Sequence, residues 1–371
     1  MPRFSRRSFL HLSAAASAVA AFHFTTEPML AAAARTRRPH DANAVMIDSN
    51  ENPLGPGQAA RDAIAGIIPQ GGRYLDDLTD DLVNTFAQME GLNRDWINFT
   101  AGSTPPLTLA VLAFTSPQRS YVTPDPGFEL GMMAAAYSQA RVVKVPLTKT
   151  YAHDVRAMLA AAPDAGVFYV TSPNNPTGTL TPHADIEYLV ANKPKDSVVL
   201  ADEAYIHFSD PAQSAVDLVK AGKDVIVCRT FSKAYGMAGL RCGVVIARPD
   251  LLEKFMTRGG YNFMPVTAVV AATASLKDPQ LIAERRRINA SVRQQTFQWL
   301  ERNGYSYIPS ESNCFMLDTK RPAKQLRDAM AKENVFIGRS WPVMPTYARI
   351  TVGTQDEMER FQAALQKTMK T

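Results

Sequence analysis

Cysteine is scarce: Cys228, Cys242 and Cys314 are the only three in 371 residues. An odd number of thiols, each set among apolar residues, excludes a disulfide framework and predicts buried free thiols instead. The six histidines are scattered and no spacing matches a metal site, so no metal is expected. A large excess of one charge is lacking too. Against 35 Asp+Glu stand 40 Lys+Arg, a net +5, of which the first 34 residues hold +2 through Arg3, Arg6 and Arg7 against Glu27. The remainder is too weak to argue for nucleic acid, and no helix-turn-helix segment precedes the rest of the chain. Internal repeats are missing, as are low-complexity tracts beyond the N-terminal segment. What is present is ordinary globular composition, 46% hydrophobic and 20% charged. That excludes a fibre, and at roughly 100–200 residues per domain the chain has room for two domains.

Residues 1–34 read as a targeting segment. A short basic start is followed by an Ala-rich apolar run from Phe9 to Phe24 and by small residues Ala31 to Ala34 that suit signal-peptidase cleavage, near Ala33/Ala34. The run is too short to span a bilayer comfortably, so no stable membrane anchor is expected. Ser5-Arg6-Arg7-Ser8-Phe9-Leu10 resembles a twin-arginine export signal. That route moves folded proteins, which suits an enzyme that takes up a cofactor before it crosses. The resemblance implies a periplasmic protein with the twin-arginine machinery as a partner. An uncleaved anchor and an amphipathic start helix are the competing readings.

After residues 35–72, a polar linker and N-terminal arm, short apolar runs alternate with helical patterns over 73–265. That pattern predicts an α/β domain with a mainly parallel central sheet sandwiched by helices. Expected strands are Ser120–Thr123, Arg141–Val145, Gly166–Thr171, Ser197–Ala201, Asp224–Cys228 and Gly243–Ala247, and expected helices include Leu107–Phe114, Gly127–Tyr137, Val155–Ala161 and Ala184–Ala191. Residues 266–371 are helix-rich and charged, with strand-like Cys314–Asp318, Val335–Ile337 and Arg349–Val352, and predict a smaller α+β domain.

Three clusters stand directly after expected strands. In Thr230-Phe231-Ser232-Lys233, a lysine among hydroxyls and small residues can be desolvated enough to form a Schiff base, although alone it reads as a surface lysine. Val198-Val199-Leu200-Ala201-Asp202 ends an apolar strand in a carboxylate, which at the carboxyl end of a parallel strand faces the ligand crevice. Alone, Asp202 reads equally as a helix cap or turn residue. Ser172-Pro173-Asn174-Asn175-Pro176-Thr177-Gly178 is a turn fixed by two prolines and a glycine, so Asn175 is held in one place. A lysine, a carboxylate and an amide at three strand ends form a set that suits a pyridoxal cofactor.

With Asn50-Glu51-Asn52-Pro53-Leu54-Gly55-Pro56 upstream, Asp202-Glu203-Ala204-Tyr205, and Gly239-Leu240-Arg241-Cys242-Gly243 following Ser232-Lys233, the chain resembles the histidinol-phosphate aminotransferases. These belong to the class I/II aminotransferases of fold type I. The resemblance covers about Val45 to Lys367. It implies a pyridoxal-phosphate transferase fold, a homodimer with shared active sites, and an amino acid and a 2-oxo acid as substrates. It further implies that Lys233 carries the cofactor and shuttles the proton, that Asp202 keeps the ring nitrogen protonated, and that Asn175 and Tyr205 bond the phenolic oxygen. Phe128, in Asp125-Pro126-Gly127-Phe128, stands at the ring-stacking position, and alone reads as a core residue. Ser103 and Thr104, at a helix start, with Thr230, Ser232 and Arg241, match the phosphate contacts. Tyr74, in Gly72-Arg73-Tyr74, matches a tyrosine that reaches the phosphate from the neighbouring subunit. Asn52, Asn175, Arg339 and Arg349 match substrate contacts, Arg349 being the one that grips a carboxylate.

Three departures from the family follow. Pro105 and Pro106 stand where relatives more often carry acids, and they donate no N–H to the phosphate site. The connection from Arg339 to Arg349 is shorter, and no clear counterpart of an N-terminal tyrosine precedes Asn50. The last two point away from histidinol phosphate as the substrate. The same residue set also serves decarboxylases, lyases and racemases, and an envelope protein that only binds an amino acid is a further alternative. Replacing Arg6 and Arg7 together with lysine is expected to abolish export, measured by cell fractionation. Undiminished recovery from the periplasm would remove the twin-arginine reading.

Overall fold

The computed structural model describes Asp41, residues 43–256 and residues 264–369. The expected export signal and its cleavage site lie outside these residues. Among the described residues no helix is long and apolar enough to cross a membrane.

Aliphatic and β-branched runs build the strands. The first is β1 (Val45–Ile47), and seven others form one sheet: β2 (Ile97–Thr100), β3 (Ser120–Asp125), β4 (Val142–Pro146), β5 (Ala165–Thr171), β6 (Val198–Asp202), β7 (Val225–Thr230) and β8 (Gly243–Ile246). Their order is β2-β8-β7-β6-β5-β3-β4. The pairs β7/β8 and β8/β2 are antiparallel and the others parallel, so the sheet is mainly parallel with an antiparallel margin. β5, β6 and β7 are buried along their whole lengths, which is why they read as continuous apolar runs.

Alternation along these strands sends side chains to two cores. Phe168, Val199 and Val227 pack with α2 (Asp76–Glu90), α5 (Val155–Ala161), α6 (His183–Asn192) and α9 (Val266–Lys277). Val167, Tyr169, Leu200 and Ile226 pack on the opposite face with α3 (Thr104–Phe114), α4 (Leu130–Tyr137) and α8 (Pro249–Met256). Two other helices complete this part, α1 (Gln58–Ile67) and the short α7 (Val216–Lys220).

A third core lies among α10 (Leu281–Arg302), α11 (Ala323–Lys332), α12 (Gln355–Met369) and two small sheets. In one, β10 (Cys314–Asp318) pairs antiparallel with both β9 (Ser306–Ile308) and β12 (Tyr347–Thr351). In the other, β1 pairs in parallel with β11 (Val335–Ile337), Val45 opposite Val335 and Ile47 opposite Ile337. Within the segment that reads as linker and arm, residues 45–47 are thus a strand of the C-terminal core, while α1 packs with the large sheet's core through Ala60. All three cysteines are free and buried, as their apolar settings predict.

Phe315 is fully buried in β10, with Phe297 edge-on at 5.2 Å and Tyr307 at 6.3 Å. Phe315→Ala leaves a cavity there and is expected to cost about 3–5 kcal/mol in urea unfolding. A loss below about 1 kcal/mol would show that this cluster collapses around the gap.

Candidate active site

Register brings the three clusters together. Thr171 pairs with Asp202 and Asp202 with Cys228, so β5, β6 and β7 end side by side; Asp202 is the last residue of β6, and the loops leaving β5 and β7 carry Asn175 and Lys233. This is the carboxyl edge of a parallel sheet, where open α/β folds place ligands. Asp202 is 5% exposed. Its Oδ2 accepts from the Tyr169 hydroxyl at 2.8 Å and its Oδ1 from the Ala204 N–H at 3.1 Å. Burial outweighs these bonds and the charge of Lys233, and lifts its pKa from 3.8 to about 6. Glu203 turns away from the site to the buried Arg229, whose Nε donates to it at 2.8 Å.

The Lys233 amine donates to the Asn50 carbonyl at 2.9 Å and to the Ser49 carbonyl at 3.4 Å. Burial, and then the nearby charge of Arg349, lower its pKa from 10.5 to about 8. The Tyr205 ring centroid lies 5.6 Å from Lys233 Nζ. Asn50 adopts a left-handed backbone, φ 53°, which asparagine tolerates better than most residues. Its Nδ2 donates to the Tyr205 oxygen at 3.0 Å and to Cys314 Sγ at 3.2 Å, and its Oδ1 accepts from the Thr351 hydroxyl at 3.1 Å. Asn313 Nδ2 donates to the same Asn50 carbonyl that holds the lysine, at 3.1 Å.

Next to the lysine lies a cradle for an anion. Ser103 stands at the N-terminus of α3 with no capping hydrogen bond from its side chain, and the first turn carries Pro105 and Pro106. Arg241 Nη1 donates to Ser232 Oγ at 3.4 Å and to the Ala238 carbonyl at 2.8 Å, while Thr230 Oγ1 donates to Ser232 Oγ at 2.9 Å. Gly102, at φ +90°, has the Arg241 guanidinium 2.1 Å from where a Cβ would stand. A Cβ on Gly243 would come within 2.4 Å of the Ser103 N. Only glycine lets the helix start, the arginine and the neighbouring strand meet so closely. A helix N-terminus, hydroxyls and a guanidinium around backbone stripped of side chains fit a phosphate. With a desolvated lysine and a buried carboxylate beside them, the set fits the pyridoxal phosphate that the sequence resemblance implies. Thr104 opens α3 and is exposed.

Arg349, in β12, closes the site from the C-terminal core. Its Nη1 donates to Asn175 Oδ1 at 2.9 Å and its Nη2 to the Asp48 carbonyl at 2.7 Å, and its Nε is buried with no hydrogen-bond partner among the described residues. Asn175 thus accepts through Oδ1 and keeps Nδ2 as a donor. Arg339 is ion-paired with Glu129, both side chains being less than a tenth exposed. Both arginines lie against Trp341, with guanidinium carbons 3.8 Å (Arg339) and 5.6 Å (Arg349) from the ring centroid. Trp341 Nε1 donates to the Gly127 carbonyl at 3.0 Å, next to Phe128. Phe128 is half-buried and packs against the second core. Asn52 directs both ends of its amide to backbone: Nδ2 donates to the Ala234 carbonyl at 3.0 Å, and Oδ1 accepts from the Leu54 N–H. Its place is beside the Lys233 loop. Tyr74 is 81% exposed.

Asn50, Tyr169, Glu129, Trp341 and Cys314 enter the site without having been singled out as site residues in the sequence. Tyr169 had a signal, a tyrosine hydroxyl in a strand otherwise apolar up to its final threonine, two residues from its end. Glu129 had one too, a lone acid after Phe128. Asn50 sat inside a recognised motif, but nothing local tells which of its asparagines faces the lysine.

A seven-stranded, mainly parallel sheet sandwiched by helices, with a lysine, a carboxylate and an anion cradle at its carboxyl edge, defines a fold-type I transferase. The chain matches the aminotransferase class I and II family over residues 43–365 and belongs to it. It is 33% identical to a histidinol-phosphate aminotransferase of Symbiobacterium thermophilum, over 88% of this chain and 90% of that one. It is likewise 33% identical to histidinol-phosphate aminotransferase 1 of Cupriavidus pinatubonensis, over 89% of both chains. The crystal structure of histidinol-phosphate aminotransferase from Sinorhizobium meliloti in complex with pyridoxal-5'-phosphate superimposes with a TM-score of 0.82, at 26% identity, over 87% of this chain and 90% of that one.

Tyr169→Phe removes a hydrogen bond that favours the charged form of Asp202, so the Asp202 pKa is expected to rise further above 6. Carboxyl-carbon NMR titration reads this directly. An unchanged midpoint would show that the tyrosine leaves the carboxylate untouched.

Proposed function

We propose that the protein is a homodimeric, pyridoxal-phosphate-dependent aminotransferase that moves an amino group between an L-amino acid and a 2-oxo acid after twin-arginine export to the periplasm. Membership of the aminotransferase class I and II family supports the reaction and the cofactor. The observation that carries the reading is Lys233, a half-buried lysine whose pKa is lowered to about 8 by desolvation and by the charge of Arg349, whose own Nε has no hydrogen-bond partner among the described residues. A protein that merely bound amino acids would have no use for a desolvated lysine beside a buried carboxylate. The resemblance of Ser5-Arg6-Arg7-Ser8-Phe9-Leu10 to a twin-arginine signal supports the location. Tyr74 and Ile68, 81% and 60% exposed, offer apolar surface of the kind a second copy covers.

When bound, pyridoxal phosphate supplies an aldehyde that condenses with amines and a ring that takes up the electrons left as a substrate α-proton departs. Ser103, Ser232 and Arg241 would hold its phosphate, and Asp202, ionised by a facing cation, would keep its ring nitrogen protonated. Asn175 Nδ2 and Tyr205 would donate to its phenolic oxygen. Arg349 binds the substrate carboxylate, turning its Nε and the edge of its guanidinium towards it. Lys233 Nζ, neutral once substrate is in place, takes the α-proton and returns it. Trp341, fully buried against both arginines and bonded to the Gly127 carbonyl beside Phe128, would help exclude water around the substrate carboxylate. The relatives are named for histidinol phosphate; the short Arg339–Arg349 connection and the export signal favour another amino acid here.

The test is the absorbance spectrum of the purified, cofactor-loaded protein during addition of single amino acids, with Lys233→Ala as control. Conversion of the lysine-linked band by particular amino acids is expected in the wild type and not in the variant. A wild-type band that survives every amino acid would end the transaminase reading. The rate of cofactor capture is expected to rise with pH through about 8 and then level off, because only the neutral amine reacts. A rise continuing towards 10.5, the ordinary lysine value, would show that the amine is not desolvated.

A further inference from the structure

The two arginines against Trp341 differ in how their charge is balanced. The hydrogen bonds of Arg349 reach neutral acceptors, Asn175 Oδ1 and the Asp48 carbonyl, and its Nε has no partner among the described residues. Its positive charge is available to a carboxylate. Arg339 is ion-paired with Glu129, and both side chains are buried, at 8% and 6% exposure. Glu129 directly follows Phe128 and begins the turn into α4, so backbone fixed by the helix holds it there. The guanidiniums share one indole, at 3.8 and 5.6 Å from its centroid. A substrate whose carboxylate lies on Arg349 therefore extends along Trp341 towards an arginine that is already neutralised.

We infer that Glu129 determines the substrate class: the side-chain end of the pocket takes amino acids with uncharged side chains and rejects those carrying a second carboxylate or a phosphate. This rests on the reading of Arg349 as the carboxylate ligand. An anionic side chain arriving there either sits beside the Glu129 carboxylate or displaces it from Arg339 inside a dry pocket, and both are unfavourable. An uncharged side chain meets a neutral ion pair and the face of an indole. Phosphorylated amines are excluded on the same ground.

Glutamine and glutamate, nearly identical in shape and different in charge, are the probes. The spectral half-reaction is followed with each, and calorimetry of pentanoate against glutarate reads the same preference without turnover. The proteins are the cofactor-loaded wild type, Glu129→Gln, and the double variant Glu129→Gln/Arg339→Gln. The wild type is expected to favour glutamine over glutamate, and pentanoate over glutarate. In Glu129→Gln the ratio shifts towards the dianion by about tenfold or more, because Arg339 is released to bind it. The double variant, with no unpaired charge left to disturb folding, returns the ratio to the wild-type side and keeps the test alive if the single variant does not fold. A wild type that favours glutamate by about tenfold, a single variant that folds with an unchanged ratio, or a double variant with a dianion preference would overturn the assignment. A wild type that loads cofactor yet responds to no amino acid, or pentanoate binding that survives Arg349→Gln, counts against the proposed function instead.

Discussion

The structure turns on one asparagine. Asn50 leaves β1 in a left-handed turn and offers its carbonyl to Lys233, its amide to Tyr205 and Cys314, and its Oδ1 to Thr351. Those partners come from the loop after β7, the turn after β6, and two strands of the C-terminal core. Such a junction is favourable only if every polar group in it is matched, since an orphaned buried donor costs roughly as much as several ordinary contacts gain. The positions of the lysine, the tyrosine and the small antiparallel sheet are thus linked through one side chain.

Around that junction the electrostatics are set by burial more than by pairing. Lys233 and Arg349 are like charges in a region with little water, and the lysine yields because guanidinium holds its proton far more firmly. Asp202 is pushed the other way by the same desolvation, and Tyr169 only partly offsets it. Each group sits near the protonation state in which it is useful and is moved by the arrival of a charged neighbour. The anion cradle complements this with the Arg241 guanidinium, for which the backbone of Gly102 leaves room, and with the close approach of Gly243 to the start of α3.

Much of this was legible in the sequence, for reasons that differ by element. β5, β6 and β7 announce themselves because strands buried on both faces are mostly apolar, the ion-paired Arg229 near the end of β7 being an exception, and Asp202, Lys233 and Asn175 stand out as polar residues at or just past their ends. The strand β1 could not be read: three residues paired with β11 across nearly the whole chain carry no local signature. Nor could the antiparallel margin: β2, Ile97-Asn98-Phe99-Thr100, is too short and too polar to stand out, and the apolar run of β8 does not show its direction. In the site, residues that act by type within a motif were visible, whereas those that act by placement were not. Glu129 is an unremarkable acid until Arg339, distant in sequence, is set against it.

The pairing of β1 with β11 also has a meaning in time. Asn50 follows β1 closely, so the carbonyl that holds the lysine is fixed only once a strand near the end of the chain has been made and docked. During synthesis the sheet that bears Lys233 and Asp202 is complete long before that. A growing chain therefore lacks the pairing that fixes this carbonyl until residues 335–337 have been made, so the setting of the lysine is among the last local structures the fold can complete.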